Sequence, residues 1–457
     1  MRENFEGLLE EASDRAIAYL KGVDERPVRP EAADLSAIGG PFPDQPTDPA
    51  VVLKLLDGTV GAATMAMAGP RFFGWVIGGA YPIATAADWL ATAWDQNTGF
   101  GLATPGTAAV EAAALRWVVE ATGLPEGTWG AFVTGTTVAN MTALAAATAH
   151  LLQQAGWDAV NDGLFGAPTV TVVVGEEVHP SLVKALGVVG LGRRRVVRVP
   201  VDGQGRMRAD ALPRLDGPTI VCVQAGNVNT GAFDPMGEII PAAKSMGAWV
   251  HVDGAFGFWA AASPTKSHLA AGMNEADSWA TDAHKYLNVP YDAGIVLARN
   301  PSALERAMSV SAAYLPEGEI GLDPMLYTPE LSRRARGVAT WAVLKSLGRS
   351  GLADLVDRTS GLARRFADHL EKAGFDILND VVLNQALVSF GDVDTNMRVI
   401  TALQAEGTMY AGPTVWQGHS AMRISVSSWK TTVEDIDRSF EAVMRAVAES
   451  RAVASSA

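Results

Sequence analysis

The sequence is poor in the residues that would point to secretion, metal binding or a membrane. Its single cysteine, Cys222, cannot close an internal disulfide, and it sits in the apolar run Thr219-Ile-Val-Cys-Val223, a setting for packing rather than chemistry. Seven histidines are scattered without metal-ligand spacing, so no metal site is expected. Gly190-Leu-Gly192 lacks the third glycine of a dinucleotide loop, and there is neither a Walker sequence nor a nucleophile elbow. Uncharged stretches such as residues 72–87 contain Gly and Pro and fall short of a bilayer span. The opening residues 1–20 are charged and amphipathic, with no signal-type apolar core, which leads us to expect a cytoplasmic protein.

Positive charge is scarce too. Lys and Arg number 36 against 50 Asp and Glu, a formal net charge of −14 that argues against nucleic acid or an anionic membrane as partner. Apolar residues are plentiful, at 48% of 457 positions with only 19% charged. That is enough for a large core and for apolar surface that a second subunit would cover.

Along the chain, residues 1–24 carry helical apolar spacing (Leu8, Leu9, Ala16, Ile17, Leu20), and prolines at 27, 30, 41, 43, 46 and 49 then forbid a long helix and mark a wrapping linker. Residues 70–82 join bulky aromatics to glycines and read as a loop. Thr104 is placed to cap a helix ending near Gly123. Short apolar runs follow at about 130–134, 169–174, 195–200, 218–224, 248–253, 278–282 and 293–298, several separated by helical patterns. This predicts an α/β fold with a seven-stranded, mostly parallel, helix-covered sheet. Residues 312–332, rich in Pro and Gly, read as a long functional loop. Ser332-Arg-Arg-Ala-Arg336 reads as surface or subunit-contact charge at a helix start. From about 343 the pattern becomes a small α+β unit. The expected divisions are an amino-terminal arm (1–90), a large domain (91–342) and a small carboxy-terminal domain (343–457).

The chemistry gathers where strands end. In Trp-Ala-Thr-Asp-Ala-His-Lys, Lys285 lies where a strand breaks into a loop beside His284, a setting in which an amine sheds its proton cheaply and condenses with a carbonyl. Asp253 ends the strand Ala248-Trp-Val-His-Val-Asp, followed by small Gly254 and Ala255 that admit a flat ring, and its carboxylate is suited to a protonated ring nitrogen. Upstream, Thr134-Gly-Thr-Thr-Val-Ala-Asn140 closes a strand and opens a helix, offering amides, hydroxyls and a dipole to a phosphate. In open sheets ligands bind beyond the strand carboxyl ends, which is where Thr136, Asp253 and Lys285 fall.

On these motifs, together with Glu177-Val-His-Pro-Ser-Leu-Val-Lys184 and Gly226-Asn-Val-Asn-Thr-Gly-Ala-Phe-Asp234, residues 70–441 resemble the pyridoxal-phosphate group II amino-acid decarboxylases, of the aromatic-L-amino-acid decarboxylase kind. The resemblance implies the PLP-dependent transferase fold (aspartate aminotransferase, type I), a homodimer with shared active sites and pyridoxal 5'-phosphate held by Lys285 as an imine. It also implies a residue-by-residue set of roles. Asp253 would meet the pyridine nitrogen, His179 would stack on one face of the ring with Ala255 on the other, and Thr136, Thr137 and His284 would contact the phosphate. Phe73, Trp75 and Val76 would shape the substrate pocket, and a loop tyrosine, Tyr327 in preference to Tyr314, would protonate Cα. Val228 stands where many members carry a threonine, leaving Asn227 or Asn229 to replace that contact. The implied reaction is decarboxylation of an L-amino acid to its amine. Alternatives on the same fold are an oxidative decarboxylating deaminase yielding an aldehyde, a Cα–Cβ lyase, and a non-catalytic protein. An aromatic substrate is favoured, with Phe72, Phe73, Trp75 and Trp416 available to surround it; Arg71 is the residue that would meet an acidic one.

Overall fold

The structure is a computed structural model and describes residues 5–30, 34–310 and 323–456. Its larger sheet is built from β1 (Trp129–Val133), β2 (Thr171–Gly175), β3 (Val197–Val199), β4 (Thr219–Gln224), β5 (Trp249–Asp253), β6 (Ser278–Asp282) and β7 (Gly294–Ala298). These strands are short runs of β-branched and apolar residues, and the four central ones are buried on both faces, as a helix-covered sheet requires. The order is β1-β7-β6-β5-β4-β2-β3, and β7 alone runs against its neighbours, pairing antiparallel with both β1 and β6. A second, antiparallel sheet in the order β10-β11-β9-β8 comprises β8 (Asp376–Ile377), β9 (Gln385–Ser389), β10 (Gly412–Trp416) and β11 (His419–Ser425). Two of these, β8 and β10, were not expected from the sequence: one is two residues long and the other interrupts its alternation with Pro413.

The helices are α1 (Phe5–Gly22), α2 (Pro49–Leu56), α3 (Pro82–Trp94), α4 (Pro105–Ala121), α5 (Thr136–Gln154), α6 (Ala159–Asp162), α7 (Pro180–Val188), α8 (Met236–Ser245), α9 (Pro301–Met308), α10 (Gly337–Lys372), α11 (Val393–Glu406) and α12 (Val433–Ser456). Helix α5 packs against the strands from β4 to β7. Its alanines 139, 143, 146 and 147 are fully buried and let its axis come close to the sheet. Neither α1 nor α2 has a buried residue within the single chain. Among the described residues no helix is long and apolar enough to cross a membrane.

Two local expectations change. Thr104 does not cap α4; its hydroxyl turns back to donate to the Phe100 carbonyl at 3.2 Å. The basic cluster before α10 is not all surface charge, because Arg333 is buried and donates to Glu111 Oε1 (2.8 Å) and the Thr98 carbonyl (2.6 Å). Glu111 lies on α4, more than two hundred positions away, so no local pattern announces the pair. Glu111→Ala would strand a buried guanidinium, and a loss of about 3–5 kcal/mol in unfolding free energy is expected by urea titration.

Candidate active site

The carboxyl ends of β4 and β5, the start of α7 and the loop after β6 meet at a cleft of about 540 Å³ lined in part by Lys285, Asp253, His179, Ala255, Val228 and Arg423. Thr136, Thr137 and His284 do not line it, and the amino end of α5 is tied to Lys285 through Asp282. Lys285 stands on the β6–β7 hairpin, with Nζ 3.0 Å from Asp282 Oδ2. The other oxygen of Asp282 accepts from the Thr136 amide at 2.6 Å and lies 3.6 Å from His284 Nε2. His284 Nδ1 accepts from the Ala293 amide at 3.0 Å, so the hydrogen-bond network assigns its ring hydrogen to Nε2, facing Asp282. Tyr291 stacks on the outer face of that imidazole, centroids 4.2 Å apart.

Asp253 closes β5, buried, with Oδ2 accepting from Asn140 Nδ2 at 3.0 Å and Oδ1 from the Ala255 amide at 3.3 Å. Burial pushes its pKa up, opposed by His179, the Asn140 hydrogen bond and Lys285. His179 caps α7 through Nδ1, which accepts from the Ser181 amide at 3.2 Å and is 2.7 Å from the Ser181 hydroxyl. With Nδ1 an acceptor, the neutral ring carries its hydrogen on Nε2.

Thr136 and Thr137 open α5. The Thr136 hydroxyl is buried without a hydrogen-bond partner, and the Thr137 amide lies in the first helical turn, where no intrahelical acceptor exists. Next to them Gly135 is pinched: a Cβ there would meet His284 at 3.3 Å, and one on Gly294 would press on the Gly135 backbone at 2.4 Å. An orphaned hydroxyl, a free amide and the positive end of a helix beside an amine fit a phosphorylated aldehyde. A ring reaching from there toward Asp253 would pass His179 and Ala255, so these residues fit pyridoxal 5'-phosphate.

Other sequence assignments fall elsewhere. Trp75 and Val76 do line the cleft, whereas Phe73 is buried against Phe366 in the core of the smaller sheet, centroids 5.9 Å apart. Phe72 stacks on Tyr410, Trp416 packs over Gly205, and Arg71 is buried in an ion pair with Asp435 at 2.7 Å; none of them lines the cleft. Tyr327 is 2% exposed, in an apolar cluster with Ala303 and Leu304, and has no surface to offer a second subunit's site. This buried placement does not fit the proton donor expected from the sequence; Tyr314 lies outside the described residues. Asn227, Val228 and Asn229 all line the cleft. Asn227 spends its carbonyl on the Asn229 and Thr230 amides, while Asn229 accepts from the Thr414 hydroxyl at 2.9 Å and keeps its amide hydrogens uncommitted.

Three participants escaped the sequence reading. Asp282 was an acid at a strand end like Asp253, and Asn140 closed a quoted motif without a role. Arg423 was a charged residue inside the apolar strand β11, a signal in itself; burial lowers its pKa, and no carboxylate among the described residues pairs with it.

His251, fully buried two residues before Asp253, has its pKa pushed down from 6.5 to about 3 by burial, and burial lowers His179 and His284 in the same direction. The unfolded chain takes up these protons below 6.5 and the native state resists, so their stabilisation is complete above pH 6.5 and lost as pH falls from there toward 3. The slope of the urea midpoint against pH is the net of these histidines, which lower it as pH falls from 7 to 5, and of Asp234, whose carboxyl is pushed up by burial to about 6 and acts the opposite way. The His251 part approaches about 1.4 kcal/mol per pH unit well below 6.5. The slope should flatten in His251→Phe.

The family model for the pyridoxal-dependent decarboxylase conserved domain matches residues 41–391. An aromatic-L-amino-acid decarboxylase of Bacillus atrophaeus is 28% identical over 379 residues, covering 79% of this chain and 76% of that one. An acidic amino acid decarboxylase of Mus musculus is 31% identical over 323 residues, 68% of this chain and 58% of the relative. In fold the chain is similar to the Oryza sativa TDC crystallised with PLP and tryptamine, with a TM-score of 0.89 at 22% identity, covering 98% of each. The chain belongs to the pyridoxal-dependent decarboxylase family, and is a carboxy-lyase that acts on an amino acid with pyridoxal 5'-phosphate as cofactor.

Proposed function

We propose that the substrate is an L-amino acid with an aromatic side chain, and that the enzyme works as a homodimer whose two chains complete each site. The observation that carries the substrate reading is Trp75. Its indole lies at the cleft with half its surface exposed, on a backbone where Trp75 (φ 48°) and Val76 (φ 61°) both adopt left-handed conformations. Such conformations cost about 1–3 kcal/mol each and persist where surrounding structure holds them for a purpose. Val76, Val228 and Phe256 extend the apolar wall. The dimer reading is supported by the bare faces of α1 and α2 and by Trp89, Leu90 and Trp94 exposed along α3.

When bound, pyridoxal 5'-phosphate takes the substrate amine and accepts into its ring the electron pair left at Cα as CO2 departs. The chain does the rest. Lys285 is the covalent anchor, and Asp282 beside it holds the ammonium when the amine is free. Thr136, Thr137 and His284 bind the phosphate. Asp253 keeps the ring nitrogen protonated, which makes the ring a deeper electron sink. His179 and Ala255 sandwich the ring and exclude water from its faces, and the Nε2 hydrogen of His179 is held at the cleft wall.

Measuring CO2, amine, H2O2 and ammonia together over a panel of amino acids tests this reading. Equimolar CO2 and amine from aromatic substrates is expected; an aldehyde with H2O2 would sink simple decarboxylation. Trp75→Ala should raise KM for the aromatic substrate about 3–10-fold with a smaller change in kcat. A second reading rests on Arg423, a cation with no carboxylate partner among the described residues, which a substrate's side-chain carboxylate would find. If acidic substrates dominate the panel and Arg423→Gln erases that preference, the second reading replaces the first.

A further inference from the structure

Behind Asp253 a file of buried side chains runs back across the sheet. Trp249, His251 and Asp253 alternate along β5 and so share one face, the face that α5 covers with Asn140. Ser278 on β6 is the register partner of His251. The distances are even: Trp249 Nε1 to Ser278 Oγ 2.9 Å, Ser278 Oγ to His251 Nδ1 2.9 Å, His251 Nε2 to Asn140 Oδ1 2.9 Å, and Asn140 Nδ2 to Asp253 Oδ2 3.0 Å. Ser278, His251 and Asn140 are wholly buried, with Trp249 at 6% and Asp253 at 5% exposure.

The two ends dictate the direction of every bond. An indole only donates, so the Ser278 oxygen accepts from Trp249; with Asp253 ionised at the other end, Ser278 gives its own hydrogen to His251 Nδ1. The neutral imidazole then has one hydrogen, on Nε2, and gives it to the Asn140 carbonyl. That contact turns the amide so that its NH2 faces Asp253. An ionised carboxylate only accepts, so the file closes on Oδ2 with each group satisfied. Reversing any member would leave two donors or two acceptors face to face in a dry interior.

We propose that Asn140, His251 and Ser278 are positioning residues for Asp253. Their aligned donors fix the plane of the carboxyl group and hold it as an acceptor, so that Oδ1, which takes the Ala255 amide at 3.3 Å, has its second acceptor site for the hydrogen of the cofactor's ring nitrogen. The inference rests on the reading that Asp253 meets that nitrogen. Aligned this way, the donors favour the ionised form of a carboxyl group whose burial favours the neutral one, in the absence of a paired arginine or lysine at hydrogen-bond distance among the described residues.

The first test needs no variant and no cofactor. In the intact protein with 15N-labelled histidine, His251 should show a protonated, slowly exchanging Nε2 and an unprotonated Nδ1 at pH 7. The opposite tautomer, or a charged ring, overturns the proposal. The second is a cycle of Asn140→Ala, His251→Phe and the double variant, followed by kcat, KM and the dissociation constant of pyridoxal 5'-phosphate read from its absorbance. Each single change is expected to lower kcat about 10–100-fold, the scale of one hydrogen bond to a charged group, with KM within about threefold. The double variant should match the weaker enzyme of the two, because the file acts as a unit. Additive losses, or singles that leave kcat and cofactor affinity intact, overturn it. Ser278→Ala, the mildest change, should let Nδ1 compete for the ring hydrogen and mix the tautomers; an unmixed signal counts against the file. Asp253→Asn separates the two readings: if that variant keeps full kcat and cofactor affinity, the role of Asp253 itself is wrong, whereas an impaired Asp253→Asn beside unimpaired relay variants refutes the file alone.

Discussion

Replacing Lys285 with alanine is expected to lower turnover by about 10⁴-fold or more while the protein stays folded. Among the described residues Lys285 is the sole amine lining the cleft, the other cation there being the guanidinium of Arg423, which cannot condense with an aldehyde at neutral pH. Its removal does not orphan the neighbouring acid, since Asp282 retains the Thr136 amide and His284. The loss should therefore appear in kcat with little change in urea midpoint. Borohydride treatment of the parent should fix a cofactor-derived mass on the peptide holding residue 285, and the variant should take up none. A variant that kept more than a few per cent of parental turnover would show that another group carries the covalent chemistry.

Asp253→Asn is expected to cost about 10²–10³-fold in kcat, the range found when a preorganised charge partner is taken from developing charge. The substitution is nearly isosteric, but it puts an NH2 where a carboxylate oxygen stood. That group faces either the hydrogen of the ring nitrogen or Asn140 Nδ2, donor against donor in both cases. KM should move much less than kcat, because on the proposed reading the side chain acts on the ring and not on the substrate. Equal losses through KM alone would mean that Asp253 merely shapes the pocket.

Much of this was legible from residues in order. The seven strands of the larger sheet read as short apolar runs, and the acid at the end of β5, the hydroxyls opening α5 and the lysine after β6 sit where such runs stop; a stop at a carboxyl strand end is a local signal. What stayed hidden depends on which way a side chain turns and on what meets it from afar. Phe73 and Trp75 are two positions apart and look alike as letters, yet one fills the core of the smaller sheet and the other borders the cleft, because left-handed backbone at 75 and 76 redirects the chain. Arg71 reads as a pocket cation but is claimed by Asp435, and Arg333 reads as surface yet belongs to Glu111. Arg423 comes to the cleft on a strand of the other sheet. No spacing rule links partners so distant in the chain.

The one strand that runs against the rest has a mechanical consequence. Because β7 returns beside β6, the segment bearing the amine is a handle with both roots set inside the fabric and covered on the near side by β1, Asp282 lying opposite Gly294 and Gly294 opposite Val133. Fraying that begins at the outer margin, at three-residue β3, must travel through three further strands before it loosens either root. Warming should thus release deuterium-accessible amides at 197–199 well before those at 279–282, so that loosening from the β3 margin leaves the amine of Lys285 in place.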